Sequence, residues 1–188
     1  MFVLIAGLVL FFGPHAVRML APKLRDVQLK ASEGRWKGLY SLVSLIGFGL
    51  IVWGYILYRP AAPQLYLPPG WAHGVTFVLV WLGFISLPAA YQPVGRIKAT
   101  LQHPFLVGVI LWSAGHLISN GDAAGVLVFG AFLVYSVANL VAQLRRDQPA
   151  PVFAGYRGDI ISVVAGTVVY AALLFWLHGW LFGVNPLG

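Results

Sequence analysis

There is no cysteine anywhere in the 188 residues. That excludes disulfides, iron–sulfur clusters, thiolate nucleophiles and sulfur-held zinc, so any metal must be held by histidine, methionine or oxygen. Charge is nearly as scarce. Charged residues make up 9% of the chain, with five acidic residues against twelve Lys and Arg. So few charges cannot cover a soluble domain of this size, and the 60% hydrophobic content, gathered in long runs, marks an integral membrane protein in a lipid bilayer. In such a protein a net charge of +7 belongs to loops at the cytoplasmic face, so no nucleic-acid partner is expected. Also missing are a Walker loop, a G-x-G-x-x-G turn and an H-E-x-x-H pair, which removes nucleotide and zinc-hydrolase chemistry. No Asp or Glu falls inside the apolar runs, which weighs against a proton-coupled transporter.

Stretches close to the ~20 residues that a bilayer demands lie at 2–21, 38–58, 71–90, 104–119, 123–144 and 160–183. The expected fold is all-α: a polytopic bundle of about six transmembrane helices forming one membrane domain over 1–188. The first run, "MFVLIAGLVLFFG", lacks the basic start and small-residue cleavage site of a signal peptide and reads as a span. Between the fourth and fifth runs, "SNGD" suggests a tight antiparallel hairpin in which Asn-Gly supplies positive φ. Eleven of the twelve basic residues fall in alternate loops: Arg18, Lys23, Arg25, Lys30, Arg35 and Lys37, then Arg96 and Lys98, then Arg145, Arg146 and Arg157. Only Arg59 lies elsewhere. That asymmetry places both termini on the outer, periplasmic side.

Five histidines remain to be placed. His73 and His178 lie near the outer ends of their spans, where an imidazole is ordinary. His103 precedes Pro104, which suits a first helical position because its missing N–H is not needed there; His103 reads as a helix cap. His15 and His116 differ. The first lies about 9 Å inside the inner end of its span and the second roughly 18 Å beyond Pro104, at 1.5 Å per residue. Both are expected to be buried. Either alone could be hydrogen-bonded packing between helices. Two on different helices, without cysteine or intramembrane carboxylate for company, point to a shared ligand, and haem is the natural candidate because its iron takes imidazole axially. Arg18, three residues after His15, shares its face and could pair with a haem propionate, or simply snorkel. Trp112 lies one turn before His116, with Gly108 and Gly115 thinning the same helix.

The stretch "GRIKATLQHPFLVGVILWSAGHLISNGDAAGVLVFGAFLVYSVAN" (95–139) resembles the signature of the NnrU family, bacterial membrane proteins associated with denitrification and nitric-oxide metabolism. "GPHAVRMLAPKLRD" and "RWKGLYSLVSLIGFGLIVWGY" resemble the family's opening, and "RGDIISVVAGTVVYAALLFWLHGWLFGV" its close. The family is similar in turn to the zeta-carotene isomerase of plants and cyanobacteria, a membrane enzyme that uses ferrous haem b to isomerise a cis double bond. The resemblance implies a multi-pass protein of the bacterial inner membrane that binds haem b. By position it matches the two axial ligands to His15 and to His116 in "WSAGH". From the residues themselves, Arg18 and Trp112 are the candidate cofactor neighbours and His103 is the alternative ligand to His116. Ser113 stands where the plant enzymes carry a cysteine, so a cysteine-based ligand switch is not expected.

Three functional readings follow. The first is redox-gated haem chemistry of isomerase type acting on an apolar polyene or on nitric oxide. The second is a non-catalytic accessory protein that senses haem or nitric oxide. The third rests on His103-Pro104, which is similar to an element of the isoprenylcysteine-type methyltransferases and implies S-adenosylmethionine; Gln102 stands where their motif has arginine.

Overall fold

The structure, a computed structural model, describes residues 1–146 and 148–187. Its long elements are all helical: α1 Phe2–Leu20, α2 Pro22–Ala31, α3 Glu33–Tyr58, α4 Ala72–Ala89, α5 Arg96–Leu101, α6 Pro104–Ser119, α7 Ala123–Leu144, α8 Arg157–Ala172 and α9 His178–Phe182. A 3-10 turn, Arg59–Ala61, follows α3, and a π-helical turn, Leu173–Leu177, joins α8 to α9. Among the described residues the one β-type pairing is an isolated antiparallel bridge between Gln64 and Asp122. The fold is therefore all-α. Among the described residues, five segments are long and apolar enough to cross a membrane: Phe2–Leu20, Glu33–Ala61, Ala72–Ala89, Ala123–Leu144 and Arg157–Phe182. The sixth apolar helix, α6, has 16 residues, about 24 Å of rise against a hydrocarbon core of about 30 Å.

Three local features depart from the sequence reading. First, residues 22–31 form a helix where a loop is expected. Pro22 occupies its first turn, where a missing N–H does no harm, and "KLRDVQLKA" is composed largely of good helix formers. Second, two helices begin earlier than expected, which brings Glu33 and Asp159 into first turns. At α3 the Ser32 hydroxyl accepts from the Arg35 amide (3.4 Å) and Glu33 pairs with Lys37 one turn on (2.6 Å), an arrangement that suits a helix N-terminus. Third, neither Asn120 nor Gly121 takes a positive φ; Asn120 is extended, with φ −118°. What shapes the end of α6 is the preceding loop: Tyr66 N–H donates to the Gly121 carbonyl (3.3 Å), and its hydroxyl donates to the carbonyls of Leu117 and Asn120. A tyrosine thereby satisfies the carbonyls that a helix leaves open at its C-terminus.

Packing divides the chain into two units. Unit 1 comprises Met1–Leu65 and Asp122–Ala131, and unit 2 the remaining described residues. In unit 1, α1 and α3 lie antiparallel along a seam of Leu4 and Gly7 on one helix and Ser44, Gly47, Ile51 and Gly54 on the other, all buried. The approach is backbone to backbone. A methyl group on Gly47 would come within 2.5 Å of the Phe11 amide nitrogen, and one on Gly7 within 2.5 Å of the Ile51 amide nitrogen. Lipid provides no hydrophobic drive for helices to associate, so close van der Waals packing of this kind has to supply it. Asp122 begins α7 in the same unit, its carboxylate accepting from the Gly125 amide at 2.8 Å.

In unit 2, α4 is the central helix and packs against α6 and α8. Gly83 and Gly108 face each other's carbonyl oxygens, and Gly166 of α8 lies against the backbone of Phe84 and Ile85. Polar groups lock these contacts. Thr76 donates to the Gly115 carbonyl (2.7 Å) and shares a hydrogen bond with Ser119 (2.5 Å); Trp81 donates to Thr167 (3.0 Å). At the opposite end of α4, the Asp159 carboxylate accepts from the amides of Arg96 (2.7 Å) and Ile97 (3.0 Å), capping α5. Lys98 donates to the carbonyls of Ala90 (2.8 Å) and Gln92 (3.1 Å), and the Arg96 guanidinium lies 4.6 Å over the Phe153 ring. This cluster fixes α5, which leads directly into α6.

Two stability measurements follow. Gly47→Ala is expected to lose about 1–3 kcal/mol, whereas Gly49→Ala, whose new methyl would meet nothing within 4 Å, stays within about 0.5 kcal/mol of the parent or gains slightly. Thermal unfolding of the detergent-solubilised protein separates them, and equal effects would contradict the seam. Asp159→Ala is expected to lose about 1–2 kcal/mol by stripping both α5 amides of their acceptor; unaltered melting would show that the cap contributes nothing.

Candidate functional site

Each of the two histidines singled out by the sequence occurs in one unit, His15 in unit 1 and His116 in unit 2. On α1, His15 follows Phe11 by one turn, beside the glycine seam. Its Nδ1 lies 2.6 Å from the Phe11 carbonyl oxygen. A carbonyl can only accept, so Nδ1 carries the proton and Nε2 the lone pair of a neutral ring. The ring stacks on Phe11 at 4.4 Å between centroids and meets Tyr40 of α3 at 5.0 Å. Ser44, one turn along α3 from Tyr40, has a buried hydroxyl with no hydrogen-bond partner among the described residues. Arg18 is exposed in the last turn of α1.

On α6 the arrangement recurs. His116 Nδ1 donates to the Trp112 carbonyl at 2.9 Å, again leaving the lone pair on Nε2. The Trp112 ring lies 5.1 Å from the imidazole and packs edge-on against Phe132 at 5.4 Å. The carbonyl of His116 accepts from both the backbone and the side-chain amide of Asn120, each at 2.8 Å. Both histidines are partly rather than fully buried. Among the described residues no three His, Cys, Asp or Glu side chains gather to hold a bare metal ion.

The other histidines divide as expected in position, less so in role. His103 occupies the N-cap of α6 with Pro104 as the first helical residue, but its side chain makes no capping hydrogen bond. The backbone before it is unusual. Gln102 has φ 57° and ψ −46°, and the His103 amide donates to the Leu101 carbonyl at 2.6 Å. This is a γ-turn of the rare, strained hand, in a residue type with no preference for positive φ. His73 is exposed in the first turn of α4. His178 follows the π-helical turn and donates from Nδ1 to the Val184 carbonyl at 2.8 Å.

Sequence reasoning thus places His15, Trp112 and His116 in defined local settings and misses Phe11, Tyr40, Phe132 and Asn120. Phe11 and Asn120 were within reach, since each lies one helical turn from its histidine. Tyr40 and Phe132 come from other helices, and no spacing along the chain signals them.

Comparison with known proteins adds one finding. No curated protein and no solved structure matches the chain. The family model described as "NnrU protein" matches residues 3–186. With nearly its whole length matched, the chain belongs to the NnrU family.

Proposed function

We propose that this protein binds haem b in the membrane through the imidazoles of His15 and His116. The observation that carries the reading is the shared state of the two rings. In each, the carbonyl four residues back holds the proton on Nδ1, so Nε2 is the nitrogen able to bind a metal, and the hydrogen bond that normally orients a histidine ligand through its other nitrogen is already made. Aromatic rings flank both: Phe11 and Tyr40 beside His15, and Trp112 beside His116. Such surroundings suit a flat apolar macrocycle. Arg18, one turn beyond His15 and exposed, is the group that would meet a propionate. When bound, haem would be held by His15 and His116 and would supply redox-active iron for chemistry on an apolar polyene or on nitric oxide.

On this reading the protein has six spans, α6 among them, with both termini on the outer side of a bacterial inner membrane, and it acts in nitric-oxide metabolism or in cis–trans isomerisation of a polyene. What the chain's own residues do is hold tautomers. The i−4 hydrogen bonds favour the Nδ1–H tautomer and leave the lone pair on Nε2.

The test is the absorption spectrum of protein purified from haem-replete cells, oxidised and then reduced with dithionite. A b-type spectrum in the parent, with its bis-imidazole features lost in both His15→Ala and His116→Ala, is the expected result. A colourless parent that instead binds S-adenosylmethionine would replace this reading with methyl transfer. Loss in His116→Ala but not in His15→Ala would move the second ligand elsewhere.

A further inference from the structure

Helix α2 carries an exposed apolar face. This helix links the ends of two membrane-crossing helices, α1 and α3, and packs against both. None of its ten residues is buried. At 3.6 residues per turn, Leu24, Val27 and Ala31 of α2 fall on one stripe, and Leu20 ends α1 just before the non-helical Ala21. All four are exposed, with Leu20 at 76%, Leu24 at 52% and Val27 at 62%. Lys23 and Lys30, also exposed, border that stripe along one side. Asp26 lies off the stripe, about 100° round the helix from Val27, and pairs with Arg25 at 3.3 Å.

A leucine and valine stripe left in water would be unfavourable, and an exposed stripe edged by lysines is the pattern of a helix lying in a membrane interface. The charge around it is net positive. Arg18, Lys23, Arg25, Lys30, Arg35 and Lys37 lie within twenty residues, and the two acidic groups among them, Asp26 and Glu33, are each paired with a neighbouring cation. The net positive balance complements phosphate rather than a basic or neutral protein surface. We infer that α2 docks on the bilayer surface and selects anionic glycerophospholipids, its apolar stripe among the upper acyl carbons and Lys23 and Lys30 on the headgroup phosphates. This is independent of the haem reading.

The cysteine-free chain makes the test direct. Val27→Cys, labelled with an environment-sensitive fluorophore, is reconstituted in vesicles containing brominated phosphatidylcholine or brominated phosphatidylglycerol, and quenching against mole fraction gives the relative binding of the two lipids. Blue-shifted emission and preferential quenching by phosphatidylglycerol are expected, with the label on Asp26→Cys remaining water-like. Adding Lys23→Gln and Lys30→Gln should abolish most of the preference, at about a factor of five per lysine and roughly 30-fold for the pair. Equal quenching by both lipids would overturn the selectivity. Water-like emission at position 27, quenched by neither lipid, would overturn the docking itself and leave the stripe to a protein partner. Both readings come from the parent sequence at positions 23 and 30, so they stand even if the lysine variants fail to fold.

Discussion

Helices in this protein approach one another where side chains are missing. At Gly47 and Gly7 in unit 1, and at Gly83, Gly108 and Gly166 in unit 2, one helix lies directly on another's backbone, close enough that a single methyl group would not fit. In lipid this contact replaces the hydrophobic drive of a soluble core, and the other features depend on it. The α1–α3 seam brings Tyr40 to the ring of His15. The α4–α6 seam runs along Gly108 and Gly115, and Trp112 and His116 rise at its edge. Of the small polar groups on these seams, Thr76, Ser113 and Ser162 are satisfied by helix carbonyls, whereas the buried Ser44 hydroxyl has no partner among the described residues.

A histidine in such surroundings has a donor to satisfy before it can do anything else. His15 and His116 solve that problem in the same way, with the carbonyl one turn back on their own helix. The solution is local, so it needs no partner from another element and survives whatever approaches the ring. Its chemical consequence is that both rings present Nε2 as a base. Ligand tautomers fixed by the same device in both units are what the haem account builds on, and the aromatic neighbours give each ring its orientation.

Much of this architecture was legible in the chain. Apolar runs located the long helices to within a few residues because bilayer-crossing length is a strong constraint, and Pro104 marked the start of α6 because proline fits a first turn. Positions decided by partners distant in sequence were not legible. Asn120-Gly121 suggested a positive-φ turn, but Tyr66 arrives to bind the carbonyls there and the backbone stays extended. Asp159 looked like a residue just outside a span, whereas it caps α5 across more than sixty residues of chain. Gln102 carries no signal for the conformation it adopts. Of the site, the histidines and Trp112 could be named beforehand, while Tyr40 and Phe132 could not, since helix-to-helix neighbours leave no periodic trace.

The central claim is that two imidazoles bind one haem through Nε2. Electron paramagnetic resonance of the oxidised, purified protein tests it most directly, because the ferric signal reports the axial ligands themselves. The account predicts a low-spin ferric signal of bis-imidazole type at one haem per chain. A high-spin signal, or haem bound in amounts far below one per chain, would contradict it.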